Sequence, residues 1–494
     1  MLKSHPSRPS VIALLGLGGL GLLLVWLVAT KSLAAYFADT DPEWALLLNN
    51  RETAALTLLA ERQLMAILSQ NEASHDDKKD DGAEKQTSAS IPSATAENSD
   101  IASSLSNVAA QGLDKAITDK ASEPAPTSTA DLAEATRLAT RALSGNSMNA
   151  RAMRLLGQAV ELRGDKAATA NYMKLAASLS QRESYAVYWL MVHAYETHDY
   201  VTALHCADVL LRTRSRGPEL AAPVLARLAE DNAAESELKK LLSQNPPWRA
   251  AYWPSFLASI SDARTPLNLM LAMKDTPPTE DEIARYLNFL IGKKFYDLAY
   301  YAWLQFLSKE ELETIGFLYN GSFEREPSGQ PFDWSMVQGE GTTVTRVERS
   351  DRGDQHALSI QFGHGRVSFP GVGQMTALAP GKYTLRGESQ GLIRGPRGMV
   401  WRVSCASNGT KLGESQMIFG TGRIWRDFEF DFEVPPTDCR SQTVQVVLDA
   451  RSASEQLVSG SVLFDELSIV PAPQNGKAVE NNDLEGSTKA SEPD

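Results

Sequence analysis

Two short stretches bracket the last third of the 494-residue chain: Tyr319–Glu324 (Tyr-Asn-Gly-Ser-Phe-Glu) and Phe464–Val470 (Phe-Asp-Glu-Leu-Ser-Ile-Val). Between them the hydrophobic pattern has a period of two, as in Ala357–Phe362 and Met399–Cys405, and Gly, Pro, Asp and Asn separate the runs. Short alternating runs at this spacing are typical of an antiparallel β-sandwich. The sequence therefore predicts a sandwich over residues 318–471.

Four motifs in this region resemble galactose-binding-like, jelly-roll carbohydrate-binding modules. They are the opening Asn320–Glu324 followed by Pro331–Trp334, the turn Leu378–Tyr383, the strand Trp425–Pro435 and the closing strand that begins Phe464–Leu467. The resemblance implies a jelly-roll domain that binds saccharide. Its motifs are specific for the fold and weak for the ligand.

The resemblance also suggests candidate saccharide-binding residues, because such modules stack sugar rings on exposed aromatic side chains. The candidates are Trp334, Tyr383, Arg394, Arg397 and Trp401. Strand aromatics in a sandwich are more often core residues, and both Trp401 and Trp425 alternate with apolar neighbours, which favours burial.

Relatives of this fold often hold a structural calcium near the first and last strands. The matching positions are Glu324 and Asp465. A hard cation needs several carboxylate and carbonyl oxygens. The alternative is that Asp465 only forms hydrogen bonds where the chain enters its strand, and calcium is the one cofactor that the sequence suggests.

Residues 36–70 and 131–317 have a helical pattern, with apolar residues recurring at i, i+3, i+4 and i+7. Two breaks, Gly164-Asp165 and His198-Asp199, are 34 residues apart. This period resembles that of tetratricopeptide repeats, whose stacked helix pairs form an α-solenoid with a concave groove for a protein partner.

Two segments, residues 71–130 and 472–494, are rich in small and charged residues and contain no Phe, Trp or Tyr. Such segments cannot bury enough apolar surface to offset the entropy of ordering. We expect both to be disordered, the first as an insertion between two helices of one early repeat.

Residues 1–35 predict a cytoplasmic stub and a membrane anchor. Val11–Thr30 carries no charge and is long enough to cross a bilayer. Lys3 and Arg8 precede it and acidic residues follow, so the positive-inside rule places the N-terminus in the bacterial cytoplasm and the body in the periplasm. The alternative is a cleaved signal peptide, for which this apolar run is long.

The formal charge of −13 argues against nucleic-acid binding. Of three cysteines, Cys206 lies in an apolar helical pattern, while Cys405 and Cys439 lie in the β region. An exported body permits a disulfide between the latter two, and the sequence leaves them either bridged or free.

No catalytic motif stands out, so we expect no enzyme. The pairs Asp427/Glu429 and Asp431/Glu433 could suggest glycosidase carboxylates, but a solvent-facing strand explains them better. The sequence thus favours a membrane-anchored scaffold in exopolysaccharide or envelope assembly, which binds a protein partner and saccharide. The alternatives are an interaction protein without sugar binding, and a glycan hydrolase or lyase.

Overall fold

The structure, a computed structural model, describes residues 11–76 and 129–472. Most of the two segments for which we predicted disorder lies outside this range. Helix α3 continues to Asp76, six residues beyond the predicted end of the first helical segment. The chain divides into two compact units, Met1–Thr265 with Ala272–Thr276, and Pro266–Leu271 with Pro277–Asp494.

The described part of the chain begins with fifteen helices. They are α1 (Val11–Phe37), α2 (Pro42–Leu48), α3 (Thr53–Asp76), α4 (Thr129–Gly145), α5 (Ala150–Glu161), α6 (Lys166–Leu179), α7 (Ser184–Glu196), α8 (Tyr200–Thr213), α9 (Gly217–Glu230), α10 (Glu235–Ser243), α11 (Arg249–Ser259), α12 (Thr265–Ala272), α13 (Glu280–Gly292), α14 (Tyr296–Leu304) and α15 (Lys309–Thr314).

The 34-residue period is visible in the helix starts. Helices α5 and α7 begin at Ala150 and Ser184, and Asp165 and Asp199 cap α6 and α8. Each aspartate accepts a hydrogen bond from the backbone N–H three residues later, at 3.0 and 3.2 Å respectively. The cap satisfies an otherwise unpaired donor and fixes where the helix begins. The repeat is therefore set by equivalent caps as well as by apolar spacing.

Helices α3 and α4 pack as a pair although residues 77–128 separate them in sequence. Leu56 and Leu64 of α3 share a buried cluster with Leu132 and Leu138 of α4 and with Leu155 of α5. This arrangement agrees with an insertion between two helices of one pair.

A buried ionic chain ties these pairs together. Arg154 on α5 bonds Glu61 on α3 at 2.5 Å, Gln158 at 2.5 Å and Glu183, just before α7, at 2.9 Å. Arg151 also pairs with Glu61. The pKa of the Glu61 carboxyl is lowered because these two arginines outweigh the effect of burial, which acts in the opposite direction. Charged groups this well buried need such partners.

The second unit contains the predicted antiparallel β-sandwich, together with helices α13, α14 and α15, which the sequence pattern groups with the helical repeats. Its strands are β1 (Ser335–Met336), β2 (Thr342–Glu348), β3 (His356–Phe362), β4 (Val372–Thr376), β5 (Gly381–Arg394), β6 (Met399–Cys405), β7 (Lys411–Glu414), β8 (Gly422–Val434), β9 (Gln442–Leu448) and β10 (Ser459–Pro471). The first sheet has the order β1-β4-β9-β6-β7 and the second sheet the order β2-β3-β10-β5-β8.

The core lies between the two sheets. It contains Trp401 and Val444 from the first sheet and Leu358, Leu385 and Phe464 from the second, each fully buried. Since side chains alternate between faces along a strand, the residues between these core positions face outward. The outer face of the second sheet is thereby defined by its register.

Cys405 and Cys439 form a disulfide in the structure, with their Cα atoms 5.2 Å apart. It joins the end of β6 to the segment between β8 and β9. Cys206 is a buried free thiol in α8, and burial raises the pKa of this thiol to about 11. The thiol therefore behaves as a small apolar core group, as its sequence context predicts.

Candidate functional site

The outer face of the second sheet is polar and largely uncharged toward one end. One cross-strand row there consists of Gln390, Leu463, Ser359 and Thr345 on β5, β10, β3 and β2. The next row consists of Leu392, Ser461, Gln361 and Thr343. Hydroxyl and amide side chains thus make up most of these two rows, which we call the floor of the outer face. Such groups both donate and accept hydrogen bonds.

Trp425 lies on β8 at the edge of this floor. Asp427 pairs with the outward Glu388, so Trp425, two residues earlier, shares that outer face. Its ring is half-buried, and Leu392, an outer-face residue of the neighbouring strand β5, is 48% exposed. The face therefore has an aromatic ring beside polar groups.

Two residues of the β2–β3 loop, Arg349 and Asp351, hold the Trp425 ring in place. The guanidinium carbon of Arg349 lies 3.8 Å from the centroid of the Trp425 ring, a cation–π contact. The indole N–H of Trp425 donates to Asp351 at 3.1 Å, and Asp351 in turn accepts two bonds from Arg349, at 3.1 and 3.0 Å. Two side chains, Arg349 and Asp351, thus hold the indole in one orientation.

Arg349 is itself anchored in the sheet. Its side chain is fully buried and bonds Asp465 of β10 at 2.5 Å and Glu388 of β5 at 3.0 Å. Its backbone N–H donates a hydrogen bond of 2.7 Å to the backbone carbonyl of Gln355, which closes the β2–β3 loop. Arg349 therefore connects the two central strands, β10 and β5, to the ring on edge strand β8.

Burial and pairing act on these carboxyls in opposite directions. Asp465 is 1% exposed, and burial raises its pKa to about 6 although the bond from Arg349 opposes the shift. The pKa of the exposed Asp351 is lowered, chiefly by its bonds from Arg349. The surroundings of Asp465 therefore favour its neutral form, whereas those of Asp351 favour its ionised form.

Three of the predicted saccharide-binding residues lie in the core. Trp334 and Trp401 are 0% exposed and pack edge to face at 5.9 Å, and Tyr383 is 6% exposed. A ring enclosed by other side chains offers no face to a sugar, so these three predictions are wrong. The inward positions of the strands explain the burial, as with Trp401 between Met399 and Val403 on β6.

The two predicted arginines have different surroundings. Arg394 is exposed at the end of β5, on the outer face of the second sheet and opposite Ser459. Arg397 is partly buried and pairs with Glu455 at 2.9 Å and with Asp449 at 3.5 Å. Only Arg394 shares a sheet face with Trp425.

The predicted calcium ligands do not fit a metal. Both oxygens of Asp465 accept bonds, from Arg349 and from the backbone N–H of Glu466 at 2.7 Å. Both oxygens of Glu324 are bonded to His356, one to its backbone N–H at 3.0 Å and one to its ring at 3.2 Å. In the described residues no group of three His, Cys, Asp or Glu side chains could hold an ion. The alternative, a hydrogen-bonded Asp465, describes the structure.

The apolar neighbours of Trp425 favoured burial in the core, but the structure places its ring on the outer face of the second sheet. A better signal was present. Trp425 has the same parity along β8 as Asp427, Glu429 and Asp431, whose side chains are exposed, whereas Phe428, Phe430 and Phe432 have the opposite parity and pack toward the core. Arg349 had little local signal, because all the partners of its side chain other than Asp351 come from the distant strands β5, β8 and β10.

No known protein family matches the sequence, and no curated protein matches it either. Solved structures that resemble the chain include a protein described as "CBM4 structure and function", with 17% identity over 31% of this chain and 99% of that one, and a TM-score of 0.24.

Two others are carbohydrate-binding modules as well. TmCBM61 in complex with β-1,4-galactotriose is 19% identical over 32% of this chain and 99% of that one, with a TM-score of 0.23. The CBM22-1 xylan-binding domain of Paenibacillus barcinonensis Xyn10C is 16% identical over 31% and 91%, with a TM-score of 0.22. At these identities and TM-scores the likeness says nothing about a ligand for this chain.

Proposed function

We propose that the outer face of the second sheet binds saccharide, with the Trp425 ring as the stacking platform. The observation that carries the proposal is the clamp on this ring, in which Arg349 supports one face and Asp351 fixes the indole N–H. A preorganised aromatic group beside hydroxyl and amide groups suits a ligand with apolar ring faces and many hydroxyls, because little side-chain entropy is lost on binding.

The charge of this face favours a neutral glycan over an acidic one. Asp427, Glu429, Asp431 and Glu433 follow Trp425 at alternate positions on β8 and are all exposed. Like charges brought close together are unfavourable, so a polyuronate would be repelled. The expected order of affinity is neutral polysaccharide first and alginate or polygalacturonate last.

The test is binding of the full-length protein, in nanodiscs, to a panel of insoluble β-glucan, xylan and galactan and of immobilised alginate. Trp425→Ala should weaken binding about 30-fold, the equivalent of the roughly 2 kcal/mol typical of a buried aromatic anchor. Tyr301→Ala, which removes an exposed ring on α14, is the matched control and should bind like the wild type.

Two outcomes contradict the proposal in different ways. If the wild type bound no glycan, the remaining alternative would be an interaction protein that does not bind sugar. Equal binding by the wild type and Trp425→Ala would move the site elsewhere on the protein.

We propose a binding role rather than catalysis for this face. Its carboxylates on β8 are exposed, and Asp431 accepts a bond from Thr384 at 2.6 Å. Glycosidase pairs instead flank a bound sugar and need one carboxyl with a raised pKa. Asp465 has a raised pKa, but it is 1% exposed and bonded to Arg349, so it does not reach a ligand on this face. Release of reducing ends from any glycan that binds would contradict this assignment and favour a hydrolase.

We further propose that the helical repeats form a tetratricopeptide-like scaffold for a protein partner, outside the membrane that α1 crosses. The caps at Asp165 and Asp199 support the repeat. The apolar helix near the N-terminus, over Gly19–Phe37 with a mean hydropathy of 1.7, supports the anchor. An alkaline phosphatase reporter fused after Gln70 should be active, and activity only of a cytoplasmic reporter at that position would reverse the topology.

An envelope or exported polysaccharide is the ligand source that fits this arrangement. A glycan-binding domain tethered to the membrane meets such a polymer as it leaves the cell, which is why we place the protein in exopolysaccharide or envelope assembly. Deletion of the gene should then change the amount or the length of the surface polysaccharide.

A further inference from the structure

Helix α1 is longer than the hydrocarbon core of a bilayer. Its 27 residues, Val11–Phe37, extend about 40 Å at roughly 1.5 Å per residue. The hydrocarbon core is about 30 Å thick, and the whole bilayer with its headgroups about 40–45 Å. If the uncharged run crosses the hydrocarbon, as the proposed anchor requires, the last turns of α1 pass through the outer headgroups and Phe37 lies at the membrane surface.

Helix α2 is held close to that end of α1. Only four residues separate Phe37 from Pro42, and Ala38, Ala45 and Ala55 share a small buried cluster against which Phe37 packs. The three alanines are 2%, 0% and 0% exposed. The position of α2 next to the end of α1 is therefore fixed by packing.

The other side of α2 is apolar and uncovered. Trp44 is 59% exposed and Leu47 is 77% exposed, and residues three apart lie on the same side of a helix. Tyr36, near the end of α1, is 76% exposed. We call these three exposed residues, at the end of α1 and on α2, the juxtamembrane apolar face.

We infer that the juxtamembrane apolar face rests in the outer interface of the same bilayer that α1 crosses, so that α2 is a membrane-surface helix. Trp and Tyr are the side chains enriched in this zone, because an apolar ring and a polar N–H or O–H suit its two environments. The occupant follows from continuity, since the bilayer already covers α1 and α2 begins at its surface. The inference rests on the proposed membrane anchor.

The experiment places a fluorescent probe on this face in the full-length protein. In a Cys206→Ala background, with the Cys405–Cys439 disulfide intact, Leu47→Cys is labelled with NBD and the protein is reconstituted in phosphatidylcholine nanodiscs. The matched control is Val201→Cys on α8, an aliphatic residue of similar exposure at 67%. Emission is compared between plain discs and discs that contain doxyl-labelled lipid.

Doxyl lipid should quench the probe at position 47 by about half and leave the probe at position 201 unchanged, because only the first sits within the depth of an interfacial helix. A probe at position 47 that is blue-shifted but not quenched would show that protein covers this face, and an unshifted probe would show that water does. Either result overturns the inference while the protein remains in the disc. Failure of the protein to enter discs, with recovery in the soluble fraction, would instead refute the anchor itself.

Discussion

Arg349 and Trp425 lie 3.8 Å apart, guanidinium carbon to ring centroid, although 76 positions separate them in sequence. The same arginine bonds Asp465 on β10 and Glu388 on β5, which are adjacent strands of the second sheet. The orientation of the proposed binding ring therefore depends on an ion-pair cluster in the sheet beneath it.

Replacement of Arg349 by methionine should strongly destabilise the second unit. Removing one partner of a buried ion pair leaves the other charge uncompensated, typically at a cost of about 3–5 kcal/mol. Arg352→Met is the matched control, because Arg352 is 44% exposed in its pairs with Glu388 and Glu466 and such pairs contribute about 0–1 kcal/mol. Urea unfolding measures both, and equal losses would contradict the proposed role of Arg349.

Stability should depend on pH through Asp465. Burial raises its pKa in the folded protein to about 6, above the ordinary value of 3.8. The folded state therefore binds the proton more tightly than the unfolded chain, and this stabilisation is full below about pH 4 and lost as the pH rises through 6.

The measurement compares the wild type with Asp465→Asn between pH 4 and 7. The variant keeps an oxygen for Arg349 and cannot titrate. Relative to the variant, the wild type should lose unfolding free energy as the pH rises across this window. A parallel pH dependence of the two proteins would contradict the raised pKa.

Tyr252 on α11 should tolerate the loss of its hydroxyl. Its side chain is 0% exposed, and among the described residues the hydroxyl has no hydrogen-bond partner. An unpaired buried polar group costs about 1–3 kcal/mol, so Tyr252→Phe should leave the protein as stable or more stable. The control is Tyr185→Phe, which removes a bond of 2.9 Å to Glu161 and should destabilise by roughly 1.5–3 kcal/mol. Thermal unfolding that ranks the two variants in the opposite order would contradict this prediction.

Reduction of the Cys405–Cys439 bridge should lower the stability of the sandwich. The two residues are 34 positions apart, and the chain-entropy relation gives about 4 kcal/mol for a closed loop of this length. Urea midpoints with and without dithiothreitol measure the effect, and Cys405→Ser with Cys439→Ser provides the permanently open form. An unchanged midpoint in both would mean that the bridge does not form.

The helical region and the sandwich could be predicted because their signals are local. Asp165 and Asp199 mark helix starts 34 residues apart, and alternation along β6 and β8 marks strands. The change in hydrophobic period, from helical spacing to alternation, marks where helices give way to strands.

The site could be predicted only in part, because its geometry depends on which strands pair. Trp401 and Trp425 both occupy alternating strands, yet one faces the core and the other the outside. The face that each tryptophan occupies depends on whether it shares the parity of the apolar or of the charged residues along its strand. The resemblance to known modules pointed to Trp401 without using this parity. Arg349 is a loop residue whose partners Glu388 and Asp465 are 39 and 116 positions away, and its nearby partner Asp351 does not by itself indicate a buried arginine.

The bond between Glu61 and Arg154 spans the segment from 77 to 128. A protease that cut the chain in this segment would separate α1, the proposed membrane helix, from the sandwich proposed to bind glycan, but the α3–α4 pair and this ion pair would still join the fragments. The proposed attachment to the membrane would then depend on a non-covalent interface. Charge reversal at Arg154 would remove this ion pair and leave the apolar contacts between α3 and α4 to hold such a nicked protein together.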